Sequence, residues 1–289
     1  MTPNGGARGE GVRGGAVTAS GDGWRRRLQL DVFSWALTLL RPVIVLHDAV
    51  VGAVRKLRQP AGAEHFFFAS GGRKLAAVWV SGGDSAPVVL ICHGIGEGVG
   101  HWSATQAWLE ERGVSSMIFN YSGYGSSTGR IRAEHCDQDL VAAYAEVRRR
   151  VGAERPVWVL GFSMGSGVAG SGVAALRPAA AGLFLCEAFP SFREAARAAW
   201  VPQWATRLGP DVWRTEDAMR TIAMPVCVIH SDGDRLFPVA MGRRLAEAAG
   251  KWGELVVVRG MGHSEPYLRP TEEYWGAVVR RVREAQRAL

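Results

Sequence analysis

Val88-Val89-Leu90-Ile91-Cys92 places five apolar residues in a row, three of them β-branched. A strand with one wet face alternates apolar and polar side chains. An unbroken apolar run belongs instead to a strand covered on both faces, as in the middle of a parallel sheet. Parallel neighbours require long crossovers, usually helices. The chain supplies them. Strands are predicted at Val114–Asn120, Pro156–Leu160, Gly182–Cys186, Val226–His230 and Leu255–Val258. Between and after them, helices are predicted over Trp102–Arg112, Cys136–Arg149, Ser166–Leu176, Ala240–Ala249 and Glu272–Ala288. The second of these carries its period through Leu140, Ala143, Tyr144 and Val147. Ahead of Val88, Glu64–Ala69 and Leu75–Val80 read as a strand pair joined at Ser70-Gly71-Gly72. The alternation predicts an α/β fold, a mostly parallel sheet with helices on both faces. In such sheets ligands sit at the carboxyl ends of the strands.

The first 63 residues follow a different rule. Residues 1–23 are rich in Gly, Ser, Thr and Arg, bury too little apolar surface to offset chain entropy, and read as a disordered tail. Residues 24–63 read as an apolar and basic helical segment. Arg41, Pro42, His47 and Asp48 interrupt its apolar run, so it does not fit a membrane span of about 20 uncharged residues. Val43, Leu46, Val50, Val54 and Leu57 share one helical face. That face has two readings: packing on the domain or a partner, or contact with a membrane surface through residues 24–58. The net charge of +7 permits attraction to acidic headgroups. No basic stretch interleaved with aromatics points to nucleic acid. Three of the four cysteines lie in apolar strand-like runs, and no Cys/His spacing suits a metal. A reducing, cytoplasmic compartment follows, with peripheral location at the inner membrane surface as the form that membrane contact would take.

Chemistry enters at Val157-Trp158-Val159-Leu160-Gly161-Phe162-Ser163-Met164-Gly165, a buried strand, a Gly-x-Ser-x-Gly turn and a small-residue helix. That context holds a serine hydroxyl exposed above a sheet. Gly125-Ser126-Ser127-Thr128-Gly129 fits the same pattern but precedes no apolar helix start, so it reads as a loop. A serine hydroxyl needs a base, and the base needs an acid that fixes its tautomer. Downstream lie His230, at the end of an apolar strand, and His263, in the glycine-flanked loop after the last strand. His263 is the predicted base. Asp232 and Asp234 both follow a strand; Asp234 is the predicted acid and Asp232 a turn residue beside Gly233. An oxyanion needs two aimed N–H donors. Met164, after the nucleophile, offers one. Ile95 in His93-Gly94-Ile95-Gly96-Glu97-Gly98 offers the second, and His93 reads as loop support.

With His93-Gly94, Asn120-Tyr121-Ser122-Gly123-Tyr124-Gly125-Ser126-Ser127, Gly161–Gly165, Asp234 and Gly262-His263 in this order, residues 64–289 resemble the α/β-hydrolase superfamily. The Tyr-Ser-Gly-Tyr-Gly-x-Ser loop is similar to that of small-lid serine hydrolases, including depalmitoylases. The resemblance implies an eight-stranded sheet, ester-type hydrolysis and no cofactor or metal. The insert at about residues 189–221 is expected to be a short helical lid. Its Phe189, Trp200 and Trp204, with Gly94 and Tyr124, are the expected substrate-binding residues. An apolar or lipid-like acyl group is the expected substrate; the bland alternative is that the aromatics only dock the lid. Two rivals to a hydrolase stand beside it: an acyltransferase on the same residues, and a non-catalytic binding or membrane-scaffold protein of the same fold.

Overall fold

A computed structural model describes Pro60 and residues 62–208 and 212–287. The predicted tail at 1–23 and nearly all of the segment at 24–63 lie outside the described residues. The strands are β1 (Glu64–Ser70), β2 (Arg73–Val80), β3 (Val88–Cys92), β4 (Ser115–Phe119), β5 (Val157–Phe162), β6 (Gly182–Cys186), β7 (Val226–Ser231) and β8 (Gly253–Val258). They form one sheet in the order β1-β2-β4-β3-β5-β6-β7-β8. Both pairings of β2 are antiparallel, and the rest of the ladder is parallel.

The helices are α1 (Ser103–Glu110), α2 (Ala133–Val151), α3 (Met164–Gly172), α4 (Phe192–Ala198), α5 (Gln203–Leu208), α6 (Thr215–Arg220), α7 (Val239–Ala248), α8 (Glu265–Leu268) and α9 (Glu272–Arg287). Among the described residues no helix is long and apolar enough to cross a membrane.

The unbroken apolar runs feed two cores, one on each face. Val88, Leu90, Val157, Val159, Leu183, Leu185 and Val228 pack with Leu140 and Tyr144 of α2 and Leu245 of α7. Their neighbours Val89, Ile91, Leu160, Phe162, Phe184 and Ile229 pack with Leu109 of α1 and Trp275, Val278 and Val282 of α9. Adjacent strand residues thus serve opposite layers, which is why no polar residue interrupts β3, β5 or β6.

Two boundaries differ from the sequence prediction in ways that matter for the site. β5 continues through Gly161 and Phe162, and α3 begins at Met164 instead of Ser166. Ser163 therefore sits alone between strand and helix. The physical reason is close packing. A Cβ on Gly161 would collide with the Gly165 carbonyl oxygen, and one on Gly165 with the Cys92 carbonyl oxygen. The missing side chains let the strand run directly into the helix. Gly165→Ala is accordingly expected to destabilise the fold by about 3 kcal/mol, since backbone on β3 must move to make room. Urea unfolding measures it.

Candidate active site

Ser163 adopts φ 52°, ψ −120°, a left-handed conformation for a residue with a side chain. Its N–H donates to the Cys186 carbonyl (3.0 Å), which ties the turn to β6. Strain of this sort costs on the order of 1–3 kcal/mol and persists only where the surroundings enforce it. Here two close-packed glycines and the β6 hydrogen bond do so. The turn aims Oγ at His263, whose Nε2 lies 2.9 Å away. On the far side of the ring, Nδ1 lies 2.7 Å from Asp234 Oδ2.

Each member comes from the carboxyl end of a different strand: Ser163 after β5, Asp234 after β7, His263 after β8. The Asp234 loop and the His263 loop are stitched together. Gly260 N–H donates to Asp232 Oδ1 (2.7 Å), and Ser231 Oγ donates to the Met261 carbonyl (2.7 Å). Asp232 is thus a turn residue that also couples the two loops. Asp234 Oδ1 accepts from the N–H groups of Leu236 (2.8 Å) and Phe237 (3.0 Å), leaving Oδ2 for the imidazole. Burial pushes the Asp234 carboxyl up, but the hydrogen bond from His263, with the neighbouring Glu187 carboxyl and the Phe237 N–H, outweighs it and holds it at about 2. An ionised Asp234 can only accept, so Nδ1 carries the ring proton and Nε2 is left to accept from Ser163. His230 is not a second base. It is buried, its Nε2–H donates to the Phe237 carbonyl (2.8 Å), and burial lowers its pKa.

Residues 83–215 match the family model described as "Serine aminopeptidase, S33". The chain is 30% identical over 214 residues to the uncharacterized protein MT2364 of Mycobacterium tuberculosis, covering 72% of this chain and 75% of that one. It is 29% identical over 202 residues to alpha/beta hydrolase domain-containing protein 17B of Xenopus laevis, 69% of this chain and 68% of its relative. The esterase Pf2001 of Pyrococcus furiosus superposes with a TM-score of 0.60 over 77% of this chain and 92% of that one, at 18% identity, a likeness of fold. The chain is an α/β-hydrolase.

In this hydrolase the loop after β3 is held rigidly beside Ser163. A Cβ on Gly94 would lie 3.2 Å from Ser163 Cβ. The buried Glu97 carboxylate accepts from Gly94 N–H (2.9 Å) and Trp102 Nε1–H (2.8 Å), and Val99 N–H donates to Asn120 Oδ1 (2.9 Å). Burial raises the Glu97 pKa, with these donors opposing it. His93 is buried, its Nδ1 2.7 Å from the Gly94 carbonyl, in keeping with loop support. Ile95 is exposed on the loop, and Met164 N–H opens α3, where the first N–H groups have no intrahelical acceptor.

The lid departs from expectation. Trp200 is 93% exposed and Trp204 69% exposed, so neither lines the site in this structure. Trp200, between α4 and α5, and Trp204, in the first turn of α5, face outward, and the docking contacts are made at the ends of this segment. There Trp213 is buried, with its Nε1–H donating to Asp137 (3.0 Å) and its ring against Phe192. Phe189 is buried and packs 5.3 Å from Phe237, whose ring lies 5.1 Å from His263. Tyr124 is fully buried with its hydroxyl 3.8 Å from Met164 Sδ, so it supports the residue after Ser163 from beneath and does not present a binding surface.

Sequence reasoning missed Glu97, Tyr274 and above all Glu187, which is fully buried immediately after β6 with φ 45°. The signal was present: an acid ending the apolar run Leu183–Cys186, at the strand end where functional groups collect. Glu187, His230 and Asp234 bring one ligand atom each within 4.8 Å of one another. This trio does not suit a cation, because His230 Nε2–H points at a carbonyl and Asp234 Oδ2 is occupied by His263.

Proposed function

We propose that this hydrolase cleaves a carboxylic ester or thioester through an acyl-enzyme. Ser163 attacks the acyl carbon, His263 takes the hydroxyl proton and returns it to the leaving group, and Asp234 stabilises the imidazolium. The backbone N–H groups of Met164 and Ile95 receive the oxyanion. The observation carrying this reading is the unbroken chain Ser163 Oγ, His263, Asp234, with contacts of 2.9 and 2.7 Å. Phe189 and Phe237 supply the apolar wall for an acyl group beside His263. A fluorophosphonate probe tests the assignment. Stoichiometric labelling of Ser163, with turnover of p-nitrophenyl esters of graded chain length, is the expected result. A folded protein that leaves Ser163 unlabelled would instead indicate a binding or scaffold role.

Membrane contact through residues 24–58 is a separate proposal, motivated by the basic-flanked apolar face in the sequence. The full chain is expected to float with anionic liposomes, and a chain starting near Ala61 to remain at the bottom. Equal flotation of the two rejects the segment as an anchor.

A further inference from the structure

Asp234 is not the only carboxyl at this corner of the site. Glu187 is fully buried, and its two oxygens have different company. Oε1 accepts from Ser231 N–H and from Tyr274 Oη–H, both at 3.0 Å. Oε2 lies 3.5 Å from His230 Nε2, whose proton is already directed to the Phe237 carbonyl. His230 Nε2 is also 3.8 Å from Asp234 Oδ2, so the two carboxyls meet over the same imidazole edge. Two ionised carboxylates at this separation, with no cation between them, repel strongly, and one must keep a proton. Asp234 is the one held ionised, by His263 and two backbone N–H groups.

We propose that Glu187 is a neutral positioning residue whose Oε2–H donates to Asp234 and fixes the carboxylate that orients His263. It rests on Ser163, Asp234 and His263 acting as proposed above. The charged and titratable groups facing Glu187 are Asp234 and His230 from the β7 end, Tyr274 from α9, Cys186 from β6 and, beyond Asp234, His263. Burial first, then the Asp234 charge and hydrogen bond, push the Glu187 carboxyl up to about 10. Tyr274 and Cys186 are driven well above their usual values by burial, so they stay protonated as Glu187 ionises. The proton lost at high pH goes to solvent and leaves two facing negative charges.

Three variants read this out. Glu187→Gln keeps an N–H donor toward Asp234 and a carbonyl for Ser231 and Tyr274; Glu187→Ala keeps neither. Glu187→Ala is expected to lower kcat about tenfold or more with KM little changed, because misplacing the acid misplaces the base. Glu187→Gln is expected to recover most of that loss. The native protein is expected to lose kcat above about pH 9, where Glu187 begins to ionise, and Glu187→Gln to abolish that fall. An alkaline fall unchanged in Glu187→Gln, or equal losses in both variants, overturns the proposal. A readout independent of substrate separates this from failure of the ester reading. Infrared difference spectra at pH 7.5 are expected to show a protonated-carboxyl stretch lost in Glu187→Gln and kept in Glu97→Gln. A native stretch that survives in Glu187→Gln overturns the proposal whatever the substrate is. If Glu187→Ala fails to fold, the Glu187→Gln profile and spectrum decide alone.

Discussion

Ser163→Ala is expected to lower kcat for an activated ester by a factor on the order of 10⁶, leaving the protein folded. The alanine deletes the hydroxyl that lies 2.9 Å from His263 Nε2 and keeps everything around it. Its methyl group fits where the serine Cβ sits, and the backbone bond from residue 163 N–H to the Cys186 carbonyl survives. The strained φ of 52° is retained, so the thermal midpoint should move little. Turnover is therefore lost without loss of binding: KM holds while kcat collapses. A single-turnover assay that still releases acid at more than about one-thousandth of the native rate would show that a group other than Ser163 performs the attack.

Asp234→Asn is expected to cost about 10⁴-fold in kcat. An amide at this position accepts through one atom only and presents an N–H where the imidazole needs an acceptor. Leu236 and Phe237 N–H groups claim the carbonyl oxygen, which turns the amide nitrogen toward His263 Nδ1. The ring then keeps its proton on Nε2, facing Ser163, and cannot receive another there. The same substitution changes acid stability. The folded Asp234 pKa of about 2 lies below the unfolded value of 3.8. Its contribution is therefore complete above the unfolded value and lost as pH falls from about 4 to about 2. At roughly 1.4 kcal/mol per unit this amounts to about 2 kcal/mol. Acid titrations followed by circular dichroism should show that loss in the native protein and its absence in Asp234→Asn.

The sheet was legible in the sequence because burial on both faces erases alternation, and Val88–Cys92 shows that erasure plainly. Ser163, Asp234 and His263 could be proposed because each lies just past a strand, where a parallel sheet gathers its loops. Glu187 shares that address yet was not singled out. Its importance comes from the oxygen it turns toward Asp234, and contacts between residues 187 and 234 leave no trace in linear spacing. Trp200 and Trp204 failed in the opposite sense. Aromatic identity announces a need for apolar company, but not on which side of a lid that company lies. Trp213, from the same segment, took the buried place against Phe192 and Asp137.

The lid is fastened at both roots. Arg244 on α7 holds Glu194 of α4 and Glu216 of α6, and Thr215 packs against Gly170 on α3 while Trp213 fills the space beside Gly167. Between those roots Trp200 and Trp204 stand exposed, so the fastening holds without either indole, and losing either is expected to leave it intact.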